Sequence, residues 1–344
     1  MKIAQIAPLA ESVPPKLYGG TERIVAYLTD ELVAQGHEVT LFASGDSRTK
    51  AHLVAGAPRA LRLNPEVQIE IPHLLLMLDT VRQRADEFDI LHFHVDLIHL
   101  PLFESLRERT LSSLHGRLDI ADIWPFYQRF MNMPVVSISN AQRLPMPPVR
   151  WLSTVHHGLP IDLYQLGAGN GEYVLFLGRI SPEKGADAAI KIACKAGVPL
   201  KIAAKVDKAD INYFETTIKP LLNHPLVEYL GEVGESEKKQ LLQNAMALLF
   251  PINWPEPFGI VMIEAMACGT PVICFPRGSV PEVMEDGITG YIVKDIPGAA
   301  KALANIAQLD RRRIRQCFEA RFTAKHMTDA YLHLYSRMLN SALK

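Results

Sequence analysis

Residues Val174–Gly185 read VLFLGRISPEKG. The apolar start, VLFL, has the length and β-forming character of a strand buried on both faces. Gly178 closes it, and a Ser-Pro-Glu turn opens a helix, with Ser181 as the expected N-cap and Pro182 at the first helical position. Outward from this strand–turn–helix unit the alternation continues: helix Gly185–Ala196, strand Leu200–Ala204, helix Ile211–Leu222, strand Val227–Leu230, helix Glu235–Asn244 and strand Ala247–Phe250. Helix Gly259–Cys268, strand Pro271–Phe275 and helix Gly298–Gln308 complete the series. Strands alternating with helices imply parallel sheets with crossover helices, an α/β fold.

The first half repeats the pattern. Lys2–Ala7 reads as a strand, Thr21–Gln35 as a helix stopped by Gly36, and Glu38–Ala43 as the next strand; Ile90–His94 and Val135–Ser139 are further short β-rich runs. Between the halves lies LYQLGAGNG, Leu163–Gly171. A dinucleotide fingerprint needs a strand before its glycines and a helix after them, whereas here a strand follows, so the segment reads as a linker. The expectation is an N-terminal domain over 1–162, a C-terminal domain over 172–323, and a last helix, about Ala324–Leu343, packing back across the junction.

Composition narrows the function. The chain has 344 residues, enough for two domains with full cores, with 48% hydrophobic and 21% charged residues. Its 36 Lys and Arg stand against 37 Asp and Glu, and no basic cluster suggests nucleic acid. Cys194, Cys268, Cys274 and Cys317 lack metal-binding spacing and read as reduced thiols. The start is too short in apolar residues for a signal peptide, and no run approaches the roughly 20 apolar residues of a membrane span. The protein is therefore expected in the cytoplasm, with peripheral contact to the inner face of the membrane left open.

Two motifs carry chemistry. Arg179 and Lys184 stand at the C-terminal end of a parallel strand, where open α/β sheets bind ligands, and both side chains suit phosphate oxygens. In Phe250–Gly269, FPINWPEPFGIVMIEAMACG, a strand runs into a proline-rich loop and a helix opening near Gly259. A glycine there lets a phosphate approach free backbone N–H groups and the positive end of the helix dipole. Glu256 precedes this helix and Glu264 lies in its second turn, inside an apolar run that argues against simple solvation.

Gly178-Arg179, Glu183-Lys184-Gly185, Glu256-Pro257-Phe258-Gly259 and Glu264-Ala265-Met266-Ala267-Cys268-Gly269-Thr270-Pro271-Val272, in this order, resemble family 4 of the retaining glycosyltransferases. The resemblance covers the second half and extends into the first. It implies the GT-B fold, two Rossmann-like domains facing a cleft. Arg179 and Lys184 would then bind the donor diphosphate. Glu256 would hold hydroxyls of the transferred sugar, with the backbone of Phe258, Gly259, Ile260 and Val261 beside sugar and phosphate. Glu264 would take the ribose, and Gly231-Glu232-Val233 would form the base-binding loop with Val233 against the base.

In the first half, Tyr18-Gly19-Gly20-Thr21-Glu22 resembles the family's G-G-x-E loop, where glycines allow close approach and Thr21 is a possible cap. Ser113-Leu114-His115-Gly116 resembles its strand-end histidine, which contacts the donor sugar near the reacting carbon. Ser139-Asn140-Ala141-Gln142-Arg143 resembles an S-x-x-Q-R element without an assigned role. His92, His94, His99 and Asp96 invite a metal reading, but the family works without metal and no D-x-D triplet occurs, so no metal or cofactor is expected.

The resemblance implies transfer of a hexosyl group with retention, the acceptor attacking from the face the diphosphate leaves. The overall pattern points to UDP-glucose ahead of GDP-mannose and other UDP-sugars. The acceptor is not legible; residues 60–110, including Pro72–Leu78, are where its pocket is expected. Rival readings are an epimerase or hydrolase on the same architecture and a non-catalytic subunit that binds a nucleotide sugar. A retaining glycosidase does not suit the two glutamates, which the helix start separates.

Overall fold

The computed structural model describes residues 1–17, 19–62 and 64–342, so Tyr18 of the glycine loop and Leu343 of the last helix lie outside the described residues. The chain divides into two units, Met1–Pro160 with Ala324–Lys344, and Ile161–Thr323.

In the first unit the apolar runs pair as a parallel sheet. Its strands are β1 (Lys2–Ile6), β2 (Glu38–Ser44), β3 (His52–Ala57), β4 (Ile90–Phe93), β5 (Thr110–Ser113), β6 (Val135–Ser137) and β7 (Trp151–Thr154). They lie in the order β3-β2-β1-β4-β5-β6-β7, so the chain reverses its direction of travel between β1 and β4. The register sets Gln5 beside His92 on these two strands. One face of the sheet is packed by Ile6, Phe42, Leu91, Phe93, Leu78, Val81 and Phe103.

The second unit repeats the plan with β8 (Val174–Arg179), β9 (Leu200–Lys205), β10 (Val227–Gly231), β11 (Ala247–Phe250), β12 (Val272–Cys274) and β13 (Gly290–Ile292), in the order β10-β9-β8-β11-β12-β13. Both orders are the doubly wound 3-2-1-4-5-6 arrangement, and its switch point, here between β8 and β11, is where such sheets bind ligands. β8 and β11 keep Val174, Leu175, Phe176, Ala247, Leu248 and Leu249 almost wholly out of water. That two-sided burial is why these strands read as unbroken apolar runs.

Some local expectations change. Residues 163–171 are not a free linker: Gly167, Gly169 and Gly171 donate backbone N–H bonds to Cys268 O, Gln243 O and Asn244 O at 2.8–3.0 Å, and Tyr164 is buried. A Cβ on Gly167 would lie 2.1 Å from Gln243 O, so the glycines allow chain to lie on chain. Arg311 reinforces the strip, donating to Gly167 O, Gln243 O, Ala245 O and Thr270 Oγ1.

The expected helix Ile211–Leu222 is instead a succession of short turns: α over Ile211–Tyr213, π over Phe214–Ile218 and 3₁₀ over Lys219–Asn223. Pro220 lacks an N–H and clashes with the carbonyl four residues back, which opens the ladder. Ser181 stands at the N-cap position of a 3₁₀ turn, Pro182–Lys184, without a side-chain capping bond, and the α-helix starts at Ala186. The helix expected at Thr21 starts at Gly20 with Gly19 as N-cap, so Thr21 is not the cap. Helix Ala324–Ala342 belongs to the first unit, where Asp329 accepts from Gln35 Nε2. No helix among the described residues is long and apolar enough to cross a membrane.

Candidate active site

In the second unit the end of β8 with the turn after it, and the loop after β11, flank the switch point, and between them they carry Arg179, Lys184 and Glu256. Gly178, the last residue before Arg179, has open space where a side chain would stand. Lys184 Nζ donates to Glu256 Oε2, and Trp254 Nε1 donates to the same oxygen at 2.9 Å. Lys184 Nζ also lies 4.8 Å from the Trp254 ring centroid, a cation–π contact. Glu256 is 7% exposed, so this buried carboxylate is compensated by one cation and one indole N–H. Its backbone is gripped too, since Ser279 N donates to Glu256 O and a Cβ on Gly278 would meet Glu256 N at 2.3 Å.

Lys184 and Glu256, expected on phosphate and sugar respectively, are thus one ion pair. Arg179 is engaged by three carboxylates: Glu183, Asp207 at 3.7 Å and Asp210 at 3.4 Å. The three carboxylates partly neutralise the guanidinium, and an anion placed there would have to compete with them.

Gly259 opens helix Ile260–Ala267 with φ +76°, a conformation that favours glycine, and its added Cβ would meet Met262 Cε at 2.9 Å. The first N–H groups of any helix lack intrahelical partners, so the backbone at Gly259, Ile260 and Val261 presents donors. The Phe258 side chain does not line this surface. It is buried edge-on to Phe322, 6.2 Å between centroids, while Phe258 O accepts from Ser279 Oγ.

Glu264, 5% exposed, accepts at Oε1 from Lys238 Nζ (2.7 Å) and from Tyr164 Oη (2.9 Å). Glu235 also pairs with Lys238, at 3.1 Å. Both neighbours sit on Oε1, and among the described residues no hydrogen bond is made to Oε2. Val233 is half-buried between β10 and helix Glu235–Asn244. Tyr164 and Lys238 went unread in the sequence, and Trp254, though it opens the stretch expected to hold much of the site, was given no role of its own. Only Trp254, two residues from Glu256, left a local trace; Lys238 reaches Glu264 across 26 residues.

Gly19, Gly20 and His115 belong to the first unit. Gly19 is closely packed, since a Cβ there would lie 2.7 Å from Pro15 Cβ. Gly20 is exposed at the helix start. His115 follows β5, and its Nε2 lies 2.8 Å from His94 Nδ1. Burial lowers its pKa from 6.5 to about 4, so the imidazole is neutral at neutral pH. Gln142 of the S-x-x-Q-R element holds the chain on either side of it. Gln142 Nε2 donates to Leu114 O (2.9 Å) and Gly116 O (2.8 Å), while its Oε1 accepts from Ile138 N. Ser139 caps the short helix that carries Gln142.

The three histidines of the metal reading make hydrogen bonds within the protein: His92 to Ser113 Oγ and Tyr335 Oη, His94 to Gln5 and His115, and His99 Nε2 to Ser112 Oγ. Among the described residues no group of three His, Cys, Asp or Glu side chains is arranged to hold a metal ion.

The family described as "Glycosyltransferase Family 4" matches residues 18–145, and "Glycosyl transferases group 1" matches residues 165–313. A phosphatidyl-myo-inositol mannosyltransferase of Mycobacterium leprae is 26% identical over 356 residues, covering 93% of this chain and 90% of that protein. Among solved structures, a glycosyltransferase involved in avilamycin A biosynthesis aligns with TM-score 0.73 at 24% identity, over 98% of each chain. Anabaena HepE in complex with UDP and glucose aligns with TM-score 0.73 at 19% identity, over 98% of this chain and 99% of that one. Two doubly wound units, two family matches in chain order and solved structures of the same fold lead to one conclusion: this chain belongs to family 4 of the GT-B glycosyltransferases, and it is an enzyme that transfers a glycosyl group.

Proposed function

We propose that the enzyme moves a hexosyl group from a nucleoside diphosphate sugar, UDP-glucose first, to an acceptor hydroxyl with retention of configuration. The observation that carries this reading is the Lys184–Glu256–Trp254 cluster beside Arg179 and the Gly259 helix start, at the switch point of the second sheet. It sets two cations and backbone donors next to a buried carboxylate, the combination a sugar diphosphate requires. In the proposed step the bond from the anomeric carbon to the diphosphate breaks as the acceptor oxygen bonds to that carbon from the same face. The acceptor proton passes to a phosphate oxygen of the leaving group. Arg179, Lys184 and the helix amides stabilise the charge that grows there, and no metal is assigned a role.

Glu256 takes sugar hydroxyls and Glu264 the ribose, through the oxygens their protein partners leave open. Val233 meets the base, and His115 of the first unit is assigned to a sugar hydroxyl. UDP-glucose is supported by the likeness to HepE, solved with UDP and glucose. Mannosyl transfer is the second reading, favoured by the mannosyltransferase among the relatives. An acceptor with an apolar portion is favoured by the exposed Ile71, Leu75 and Leu76 on helix Ile71–Gln83.

The test is a melting-temperature screen with UDP-glucose, GDP-mannose and ADP-glucose, followed by hydrolysis of the best stabiliser with and without EDTA. A ligand of the folded state alone raises the midpoint by mass action. A shift with UDP-glucose and EDTA-insensitive turnover are expected. A shift confined to GDP-mannose replaces the donor assignment, and no shift with any of them removes the donor-site reading.

A further inference from the structure

A chain of buried polar groups runs through the first unit to His115, and its hydrogen-bond roles can be worked out end to end. Gln5, on β1, is fully buried. Its Oε1 lies 2.8 Å from His94 Nε2, and its Nε2 lies 3.2 Å from Tyr335 Oη and 3.4 Å from His92 Nδ1. A carboxamide oxygen only accepts, so His94 carries its proton on Nε2. His94 is neutral, because burial drives its pKa well below the ordinary value, and its Nδ1 is therefore an acceptor. His115 Nε2, 2.8 Å from that Nδ1, must donate. This leaves the proton of His115 on Nε2 and a bare lone pair on Nδ1.

The other arm agrees. Tyr335 Oη accepts from Gln5 Nε2 and gives its proton to His92 Nδ1 at 2.7 Å. His92 Nε2 donates in turn to Ser113 Oγ at 2.8 Å, and Ser113 Oγ lies 2.7 Å from Tyr331 Oη. At the far end, His115 Nδ1 is buried without a hydrogen-bond partner among the described residues, and the ring stacks on His157 with centroids 5.2 Å apart.

We propose that Gln5 and His94 are positioning residues that lock His115 as the Nε2–H tautomer, so that it meets the sugar as a neutral acceptor through Nδ1. The assignment of His115 to the sugar rests on the proposed function; the tautomer lock does not. An unpaired buried acceptor is costly, and a sugar hydroxyl that supplies its proton is thereby selected over a group that cannot donate. His115 cannot give up a proton at Nδ1, so the lock also removes it from the role of general acid there.

The decisive measurement is a two-bond ¹⁵N–¹H correlation spectrum of the histidine rings in the ¹⁵N-labelled full chain at pH 7.5. Expected is a protonated Nε2 and an unprotonated Nδ1 for His115 and for His94; an Nδ1–H tautomer or an imidazolium at His115 overturns the proposal. Two variants carry it to function. His94→Asn keeps an acceptor oxygen where Nδ1 stood and should retain both the tautomer and most turnover. His94→Leu removes it, and should mix the His115 tautomers and lower kcat about ten-fold, with the donor KM changed less. Equal loss in both variants, melting temperatures being matched, overturns the positioning role. The wild-type spectrum decides the tautomer even where a variant fails to fold. If His115→Ala turns over normally while the spectrum is as expected, the proposed sugar contact fails and the tautomer lock stands.

Discussion

Lys184 has two partners, and a substitution there acts on both. Lys184→Ala removes a cation from the proposed diphosphate site, which should raise the barrier by roughly 2–4 kcal/mol, as losing one oxyanion donor does. It also leaves the buried Glu256 with Trp254 alone, so stability should fall as well. Paired measurement of kcat/KM and melting temperature separates the two, and near-normal turnover in a folded variant refutes the assignment. Gln142 makes a cleaner case, since it touches only backbone. Gln142→Ala strands Leu114 O, Gly116 O and Ile138 N, and should destabilise the protein by roughly 2–3 kcal/mol. Gln142→Glu keeps the acceptor for Ile138 N but loses both donors, so it should not restore the His115 loop; thermal denaturation with a donor-hydrolysis assay reads both. Glu264 was legible as a candidate because an acid stood in an apolar run, and Glu256 because it stands just before a helix opened by glycine. Tyr164 and Lys238, which hold Glu264, were not, because nothing near them in the chain marks a contact made across 100 and 26 residues.

At the scale of elements, the helix starting after Gly259 and the helix Ala324–Ala342 do different work. The first depends on one backbone angle. Gly259→Ala forces a side chain into φ +76° and should cost about 1–2 kcal/mol, with weaker donor binding if the helix start shifts; urea denaturation and donor titration together test this. The last helix supplies Tyr331 and Tyr335 to the histidine network of the first unit. Tyr335→Phe removes the proton His92 Nδ1 receives, and should destabilise by about 1–3 kcal/mol, seen as a lower melting midpoint. Periodicity announced that helix, but neither its place in the first unit nor its polar contacts. Strands β3, β7 and β13 escaped the sequence reading: β7 and β13 have only four and three residues, β3 carries a glycine inside its six, and pairing with neighbours makes them strands. The glycine strip at 163–171 misled for a related reason: glycine marks flexibility and close packing alike, and only the neighbouring backbone tells them apart.

The whole molecule should carry its histidines as an acid liability. Burial lowers the pKa of His99 to about 3 and of His115 to about 4, and holds His92, His94 and His157 well below 6.5. These groups are neutral when folded, while the unfolded chain binds protons below pH 6.5. Stability is therefore fully present above that pH and falls as pH drops towards 4, by up to about 1.4 kcal/mol per pH unit for each histidine. Melting midpoints between pH 7.5 and 5 should show a steep decline, and a flat profile would contradict neutral burial.

The sequence by itself determined the parallel α/β alternation and the family, and it named Arg179, Lys184, Glu256, Glu264 and His115 as candidates for the chemistry, because local periodicity and ordered motifs are properties of the chain alone. Tertiary structure decided the pairings: Lys184 with Glu256 and Trp254, Arg179 with three carboxylates, Glu264 with Tyr164 and Lys238, His115 with His94, His94 with Gln5, and Gln142 with the backbone on either side of His115. The reason is physical. A residue type announces what it can donate or accept, whereas a buried polar group takes whichever partner folding delivers, and the parallel order β3-β2-β1-β4-β5 brings Gln5, His92, His94 and Ser113 together from three separate segments of chain.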